Sequence, residues 1–199
     1  MIIIGLTGSV GMGKSTTAQM FKDAGAALFD ADAEVHKLYA KGGAAIPILR
    51  AVFPDVIIDG AVDRARLSAH LQKDPLQIEV LESFIHPLVG EARAQTISKA
   101  VDEGRKVLVI DVPLLFETGG DELVDKTVVV SAPALIQRAR VLARPSMNAE
   151  KLDMILARQM PDAEKRARAD YVIETNKGLD FAREQVQKIM DELTSTGSS

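Results

Sequence analysis

Ile2-Ile3-Ile4-Gly5-Leu6-Thr7 runs directly into Gly8-Ser9-Val10-Gly11-Met12-Gly13-Lys14-Ser15. The first run is apolar and β-branched at successive positions, as in a strand buried on both faces. The second matches G-x-x-x-x-G-K-[ST], a P-loop. Its glycines let backbone N–H groups turn inward around an anion without a Cβ in the way. Lys14 to Ala24 then reads as a helix, with Thr17, Phe21 and Ala24 on one stripe and Gly25 as its stop. The N-terminus of that helix adds partial positive charge. In such a loop Lys14 reaches the β- and γ-phosphates of a nucleotide, and Ser15 offers its hydroxyl to Mg²⁺. Gly8, Gly11, Met12, Gly13 and Thr16 complete the cradle. The bland alternative is a glycine-rich turn that holds nothing.

Outward from this unit, Ala27–Asp30, Lys106–Val112, Thr127–Ser131 and Tyr171–Ile173 read as further short strands. Helical patterns fall at about 133–144, 149–160, 162–169 and 179–193, with Asn148 and Asp162 as N-caps. Thr194–Ser199 reads as a frayed tail. Strands alternating with helices predict an α/β fold: a three-layer P-loop fold on a five-stranded parallel sheet. Residues 31–104 carry only a faint strand signal, at Val56-Ile57-Ile58. Elsewhere they have helical spacing punctuated by Pro47, Pro54, Pro75 and Pro87, which predicts several helices inserted into the sheet protein.

The chain has 199 residues, 24 Lys plus Arg against 28 Asp plus Glu, and a net charge of −4. That field argues against a general nucleic-acid binder. No cysteine excludes disulfides, thiolate metal sites and cysteine nucleophiles. His36, His70 and His86 lie far apart, so a histidine zinc site is not expected. The apolar start is too short for a signal or membrane segment, which points to the cytoplasm and to no membrane partner.

Within the P-loop class, a GTP switch needs N/T-K-x-D. The nearest stretch, Asn176-Lys177-Gly178-Leu179, has its acid one place late, at Asp180. An ATPase motor closes a hydrophobic strand with an acidic pair, whereas Val107–Ile110 ends in the single Asp111 before Val112-Pro113. One carboxylate supports Mg²⁺ through water without activating a hydrolytic water, so transfer to a bound acceptor is favoured. Two alternatives stay open: a kinase for another small molecule, and a nucleotide-dependent regulatory binder.

Further segments carry a resemblance. They are Gly5 to Thr16, Asp30-Ala31-Asp32 with His36, Ile85-His86-Pro87-Leu88-Val89, and Asp111-Val112-Pro113-Leu114-Leu115-Phe116-Glu117. Gln137, Arg140 and Arg144, Gln159-Met160-Pro161, and Ala169-Asp170-Tyr171-Val172-Ile173 complete the series. In this order they resemble the dephospho-coenzyme A kinases over nearly the whole chain. The resemblance implies transfer of the γ-phosphoryl of ATP to the ribose 3′-hydroxyl of dephospho-CoA, giving CoA and ADP, with Mg²⁺. It implies a single P-loop kinase domain over 1–199, a helical CoA-binding subdomain at 31–104 and a lid at 138–165. A monomer is the expectation. One departure stands out: the family usually ends its last strand with Asn followed closely by Gly, and here Ile173 leads into Glu174-Thr175-Asn176-Lys177-Gly178.

The same resemblance gives Asp32 the role of base toward the acceptor hydroxyl; an Asp there would equally serve as a helix N-cap. Asp30 supports the turn. Arg140, read as catalytic, and Arg144, read as ATP-binding, share a helical stripe with Gln137 and suit a phosphoryl clamp, or are solvated arginines paired with acids. Asp111 holds Mg²⁺ through water, or ends a strand. His36 and His86 read as structural, and Pro113–Glu117 as mostly packing. The charged run Asp162–Asp170 reads as a solvated face.

Overall fold

A computed structural model describes residues 1–74 and 76–195. The readings of Pro75 as a helix break and of 196–199 as tail lie outside the described residues. Five strands, β1 (Ile2–Thr7), β2 (Ala27–Asp30), β5 (Val107–Asp111), β6 (Lys126–Ser131) and β7 (Tyr171–Glu174), form one sheet in the order β2-β5-β1-β6-β7. The pairings of β1 with β5, β1 with β6 and β6 with β7 are all parallel. The expected five-stranded parallel sheet is therefore present. Its strands read as continuous apolar runs because both faces are buried. Ile4, Leu6, Val107, Val109, Val128, Val130 and Ile173 pack with Met20, Phe21, Val186 and Met190 on one face. Those partners come from α1 (Lys14–Asp23) and α9 (Leu179–Ser195). On the other face Leu115 lies over Gly5, where a Cβ would come within 2.7 Å of Leu115 Cδ2.

The chain divides into two compact units: Met1–Phe29 with Lys99–Ser199, and Asp30–Ser98. The second holds α2 (Ala31–Tyr39), α3 (Ile46–Val52), α4 (Arg64–Lys73) and the first part of α5 (Leu76–Asp102). Leu38, Leu49, Phe53, Val56, Leu67, Leu81 and Ile85 form its own core. The faint strand signal is a small hairpin, with β3 (Ile57–Ile58) antiparallel to β4 (Ala61–Val62). Asp59 (φ 50°) and Gly60 (φ 84°) turn it, as an Asp-Gly pair does in a two-residue hairpin loop. That dipeptide was the missed signal.

Four expectations need correction. The charged run Asp162–Asp170 is not simply a solvated face, since Lys165 within it is fully buried. Pro87 does not end a helix: it sits inside the 27-residue α5. His86 and Pro87 are exposed while Leu81 and Ile85 are buried, so packing holds the helix across the break. Pro87 has no N–H to offer the carbonyl of Ser83, a residue that is itself exposed. Asp162 is the first residue of α8 (Asp162–Arg168), not its cap; Pro161 occupies the cap position and the Asp162 carboxylate accepts from Ser131 Oγ at 2.7 Å. The last helix runs through Ser195 rather than ending at 193. Asn148 does cap α7 (Ala149–Leu156), accepting from Lys151 N–H at 2.8 Å.

Candidate active site

Between β1 and α1 the backbone closes on itself, with Met12 N–H donating to Ser9 O at 3.1 Å. Gly11 (φ 80°) and Gly13 (φ 99°) take the left-handed conformation that the turn requires. Gly8 is needed for a different reason: a Cβ there would lie 2.6 Å from Val130 O, on a central strand that cannot yield. Gly13 is the N-cap of α1 and has no side chain to occupy the first-turn N–H groups. Those donors remain for an anion, at the positive end of the helix.

Lys14 forms an ion pair with Asp111 at the end of β5, with side chains 16% and 5% exposed. The sheet order puts β5 beside β1, so the loop lysine and the strand-end carboxylate meet across adjacent strand ends. Ser15 and Thr16 are exposed at the head of α1.

Beside the loop lies a cavity of about 260 Å³, lined by Gly11, Gly13, Thr16, Arg140, Arg144, Thr175 and Gly178 among others. Arg140 and Arg144 come from α6 (Ala134–Leu142) and the turn after it. Arg140 donates through Nη1 to Thr175 Oγ1 at 2.8 Å and through Nη2 to Thr175 O at 2.6 Å. Thr175 Oγ1 in turn donates to Met12 O at 2.7 Å. One threonine thus ties the loop, the arginine and the segment after β7 together. Arg138 faces away, to Asp153 at 3.4 Å. Arg166 and Arg168 are engaged elsewhere: Arg166 with Ser131 Oγ at 3.1 Å, Arg168 with Asp121 at 2.7 Å.

Thr175, Gln137 and Gln159 are the residues whose contacts the sequence did not announce. Gln137 Nε2 donates to Val10 O at 2.9 Å, and Gln159 Oε1 accepts from Val10 N–H at 3.1 Å. The stripe of Gln137, Arg140 and Arg144 at helical spacing was the available signal for the first.

In the other unit Asp32 lies in the first turn of α2, exposed. The cap of that helix is Asp30, which accepts from Ala33 N–H at 2.8 Å. The capping alternative for Asp32 is therefore removed, and its carboxylate has no such local duty.

The comparisons with known proteins give the family. A family profile described as Dephospho-CoA kinase matches residues 2–180. The chain belongs to the dephospho-CoA kinase family. Against the dephospho-CoA kinase of Mesorhizobium japonicum it is 52% identical over 193 residues, 97% of each chain. Against that of Agrobacterium fabrum it is 50% identical over 193 residues, 97% of this chain and 98% of the other. A solved structure from Thermus thermophilus superposes with a TM-score of 0.83 at 32% identity, covering 96% of this chain and 97% of the other. The dephospho-CoA kinase from Campylobacter jejuni, at 20% identity and a TM-score of 0.64 over 96% of each chain, shares the fold. So does the shikimate kinase from Acinetobacter baumannii, at 19% identity and a TM-score of 0.52 over 100% of this chain and 96% of the other. As a member of this family the chain is an ATP-using kinase. Among the described residues no helix is long and apolar enough to cross a membrane.

Proposed function

We propose that this dephospho-CoA kinase transfers the γ-phosphoryl of ATP to the ribose 3′-hydroxyl of dephospho-CoA, giving CoA and ADP in the last step of coenzyme A synthesis. The observation that carries the reading is the family match across residues 2–180, which spans both the phosphate loop and the helical unit. The loop amides and Lys14 hold the β- and γ-phosphates. Lys14 is kept near the loop by Asp111, so the cation is in place before the nucleotide arrives. The cavity edged by Arg140, Thr175 and Gly178 takes the nucleoside end of ATP, with Arg144 on the same side. This gives Arg140 a nucleotide-holding task, through its anchor on Thr175, alongside any contact with the transferring group.

The exposed Ser15 hydroxyl and the Asp111 carboxylate are hard oxygen donors of the kind Mg²⁺ takes, along with substrate phosphates. Ser15 would hold the ion directly and Asp111 through water, and the ion would neutralise charge on the phosphates. Asp32 accepts the proton of the 3′-hydroxyl as the new P–O bond forms and the β–γ bond breaks, leaving ADP. The helical unit, read as 31–104, binds the acceptor; 138–165 forms the lid; the enzyme works as a cytoplasmic monomer.

ADP release from MgATP, measured with and without dephospho-CoA, adenosine or AMP, tests the reading. Stimulation by dephospho-CoA with CoA appearing is the expected result. Stimulation by a different acceptor alone would reassign the substrate. Nucleotide binding with no acceptor-dependent turnover would replace the kinase with a regulatory binder.

A further inference from the structure

Two of the sequence motifs have no part in the reaction as written: Asp111-Val112-Pro113-Leu114-Leu115-Phe116-Glu117 beyond its first residue, and Gln159-Met160-Pro161. The structure joins them. Glu117 Oε1 accepts from Met160 N–H at 2.7 Å and pairs with Lys165 Nζ at 2.9 Å. Lys165 is fully buried, at 0% exposure, and also reaches Pro113 O at 3.3 Å. A buried ammonium is costly unless paired and hydrogen-bonded, so this lysine holds Glu117 in one place. Glu117 in turn fixes the 159–160 backbone. The next residue back, Gln159, reaches the tip of the phosphate loop.

That tip is held from two sides. Gln159 takes the N–H of Val10 and Gln137, itself 7% exposed, takes its C=O. A peptide group is planar, with its C=O and N–H pointing opposite ways. Gripping Val10 N–H therefore also orients Ser9 C=O, the acceptor that closes the loop onto Met12 N–H. Gripping Val10 C=O likewise orients Gly11 N–H. Two glutamines thus set both peptide planes at the top of the loop.

We propose that Gln159 is a positioning residue for ATP, pinning the phosphate-loop tip through Val10 N–H, and that Glu117, clamped by Lys165, is what holds Gln159 there. The inference rests on the loop being the ATP site. It predicts an effect on the nucleotide and not on the acceptor. Turnover of dephospho-CoA by the unaltered enzyme tests the reaction itself; the variants below test only this linkage.

The first variant is Gln159→Met, which keeps the length of the side chain and removes the acceptor. KM for MgATP rises about three- to tenfold, the size of one net hydrogen bond, while KM for dephospho-CoA stays within about twofold. Gln159→Glu, which keeps an acceptor, restores the loop contact; its melting temperature and its Val10 amide exchange protection match the unaltered protein, whereas Gln159→Met loses that protection. The second arm is a double-mutant cycle with Glu117→Gln. Its effect on KM for MgATP largely disappears in the Gln159→Met background, because both act through one contact. An unchanged KM for MgATP in Gln159→Met, or equal changes in both substrates' KM, would overturn the positioning role. Full additivity in the cycle would overturn the route through Glu117. Should Glu117→Gln fail to fold, Gln159→Met alone still decides the first claim.

Discussion

Thr175→Val removes one oxygen and keeps the shape of the side chain, so its cost can be worked from the contacts. Met12 O loses the hydroxyl donor at 2.7 Å in a residue 1% exposed, and a buried carbonyl left without its donor costs about 1–3 kcal/mol. Arg140 loses its 2.8 Å bond to the hydroxyl but keeps the 2.6 Å bond to the backbone carbonyl of the same residue. The charge-assisted bond therefore counts at its lower figure, about 1.5 kcal/mol. The added methyl returns about 0.8 kcal/mol of apolar burial, which leaves a net loss of about 2–4 kcal/mol. For a domain of this size the melting temperature falls by about 4–16 °C. Because Thr175 links the loop to the cavity wall, about half of that loss is expressed in nucleotide binding, and KM for ATP rises about 5- to 30-fold. KM for dephospho-CoA stays within about twofold. Steady-state kinetics with each substrate varied in turn, beside a thermal melt, reads all three quantities. A lowered melting temperature with an unchanged KM for ATP would refute the reasoning, since Thr175 would then be structural and the cavity would not be the nucleoside site.

Other outcomes follow from the same geometry. Lys14→Met lowers kcat about 10²–10³-fold by removing a cation aimed at developing charge; single-turnover transfer measures it directly. Asp32→Asn lowers kcat about 10²–10⁴-fold with KM for ATP within about twofold, and an effect confined to ATP affinity would move Asp32 to the donor side. Gly11→Ala places a Cβ 2.5 Å from Val141 Cγ2 at a backbone φ of 80°, so the loop tip shifts; ATP binding by calorimetry weakens well beyond what Gly25→Ala, with nothing within 4 Å, produces. Burial alone would raise the Asp170 carboxyl, but the bonds from Thr127 N–H and Oγ and from Lys126 outweigh it and hold it below its ordinary value. A depressed carboxyl stabilises the fold above its unfolded pKa, about 3.9, and that contribution is lost as the pH falls through the lower folded value. The melting-temperature gap between the unaltered enzyme and Asp170→Asn therefore closes on acidification below about pH 4.

What could be read directly from the chain was whatever local chemistry alone imposes. A glycine-rich turn between an apolar run and a helix has few conformations open to it, so Gly8–Ser15 announced a phosphate-type loop, while the alternation of strands and helices gave the parallel sheet and the ordered series of segments from Gly5 to Ile173 gave the kinase family. Asn148 capped its helix as its side chain dictates. The errors came where a neighbour distant in sequence competed for the same group. Asp162 would have capped α8, but Ser131 Oγ took its carboxylate, and Pro87 stayed helical because Leu81 and Ile85 were buried on the far side of α5. The cap at Asp30 was a choice between two aspartates two residues apart, which only the backbone of α2 resolved. The site shows the same division. Lys14 and the glycines carry their function in a contiguous motif, whereas Gln137, Gln159 and Thr175 meet the loop 127, 149 and 163 residues away from their partners. A glutamine or threonine makes the same bonds anywhere that offers a donor and an acceptor, so its type says little. Only the sheet order, which sets β6 beside β1 and β7 beyond β6, brings those side chains to Val10 and Met12 and turns them from ordinary polar residues into the walls of the loop.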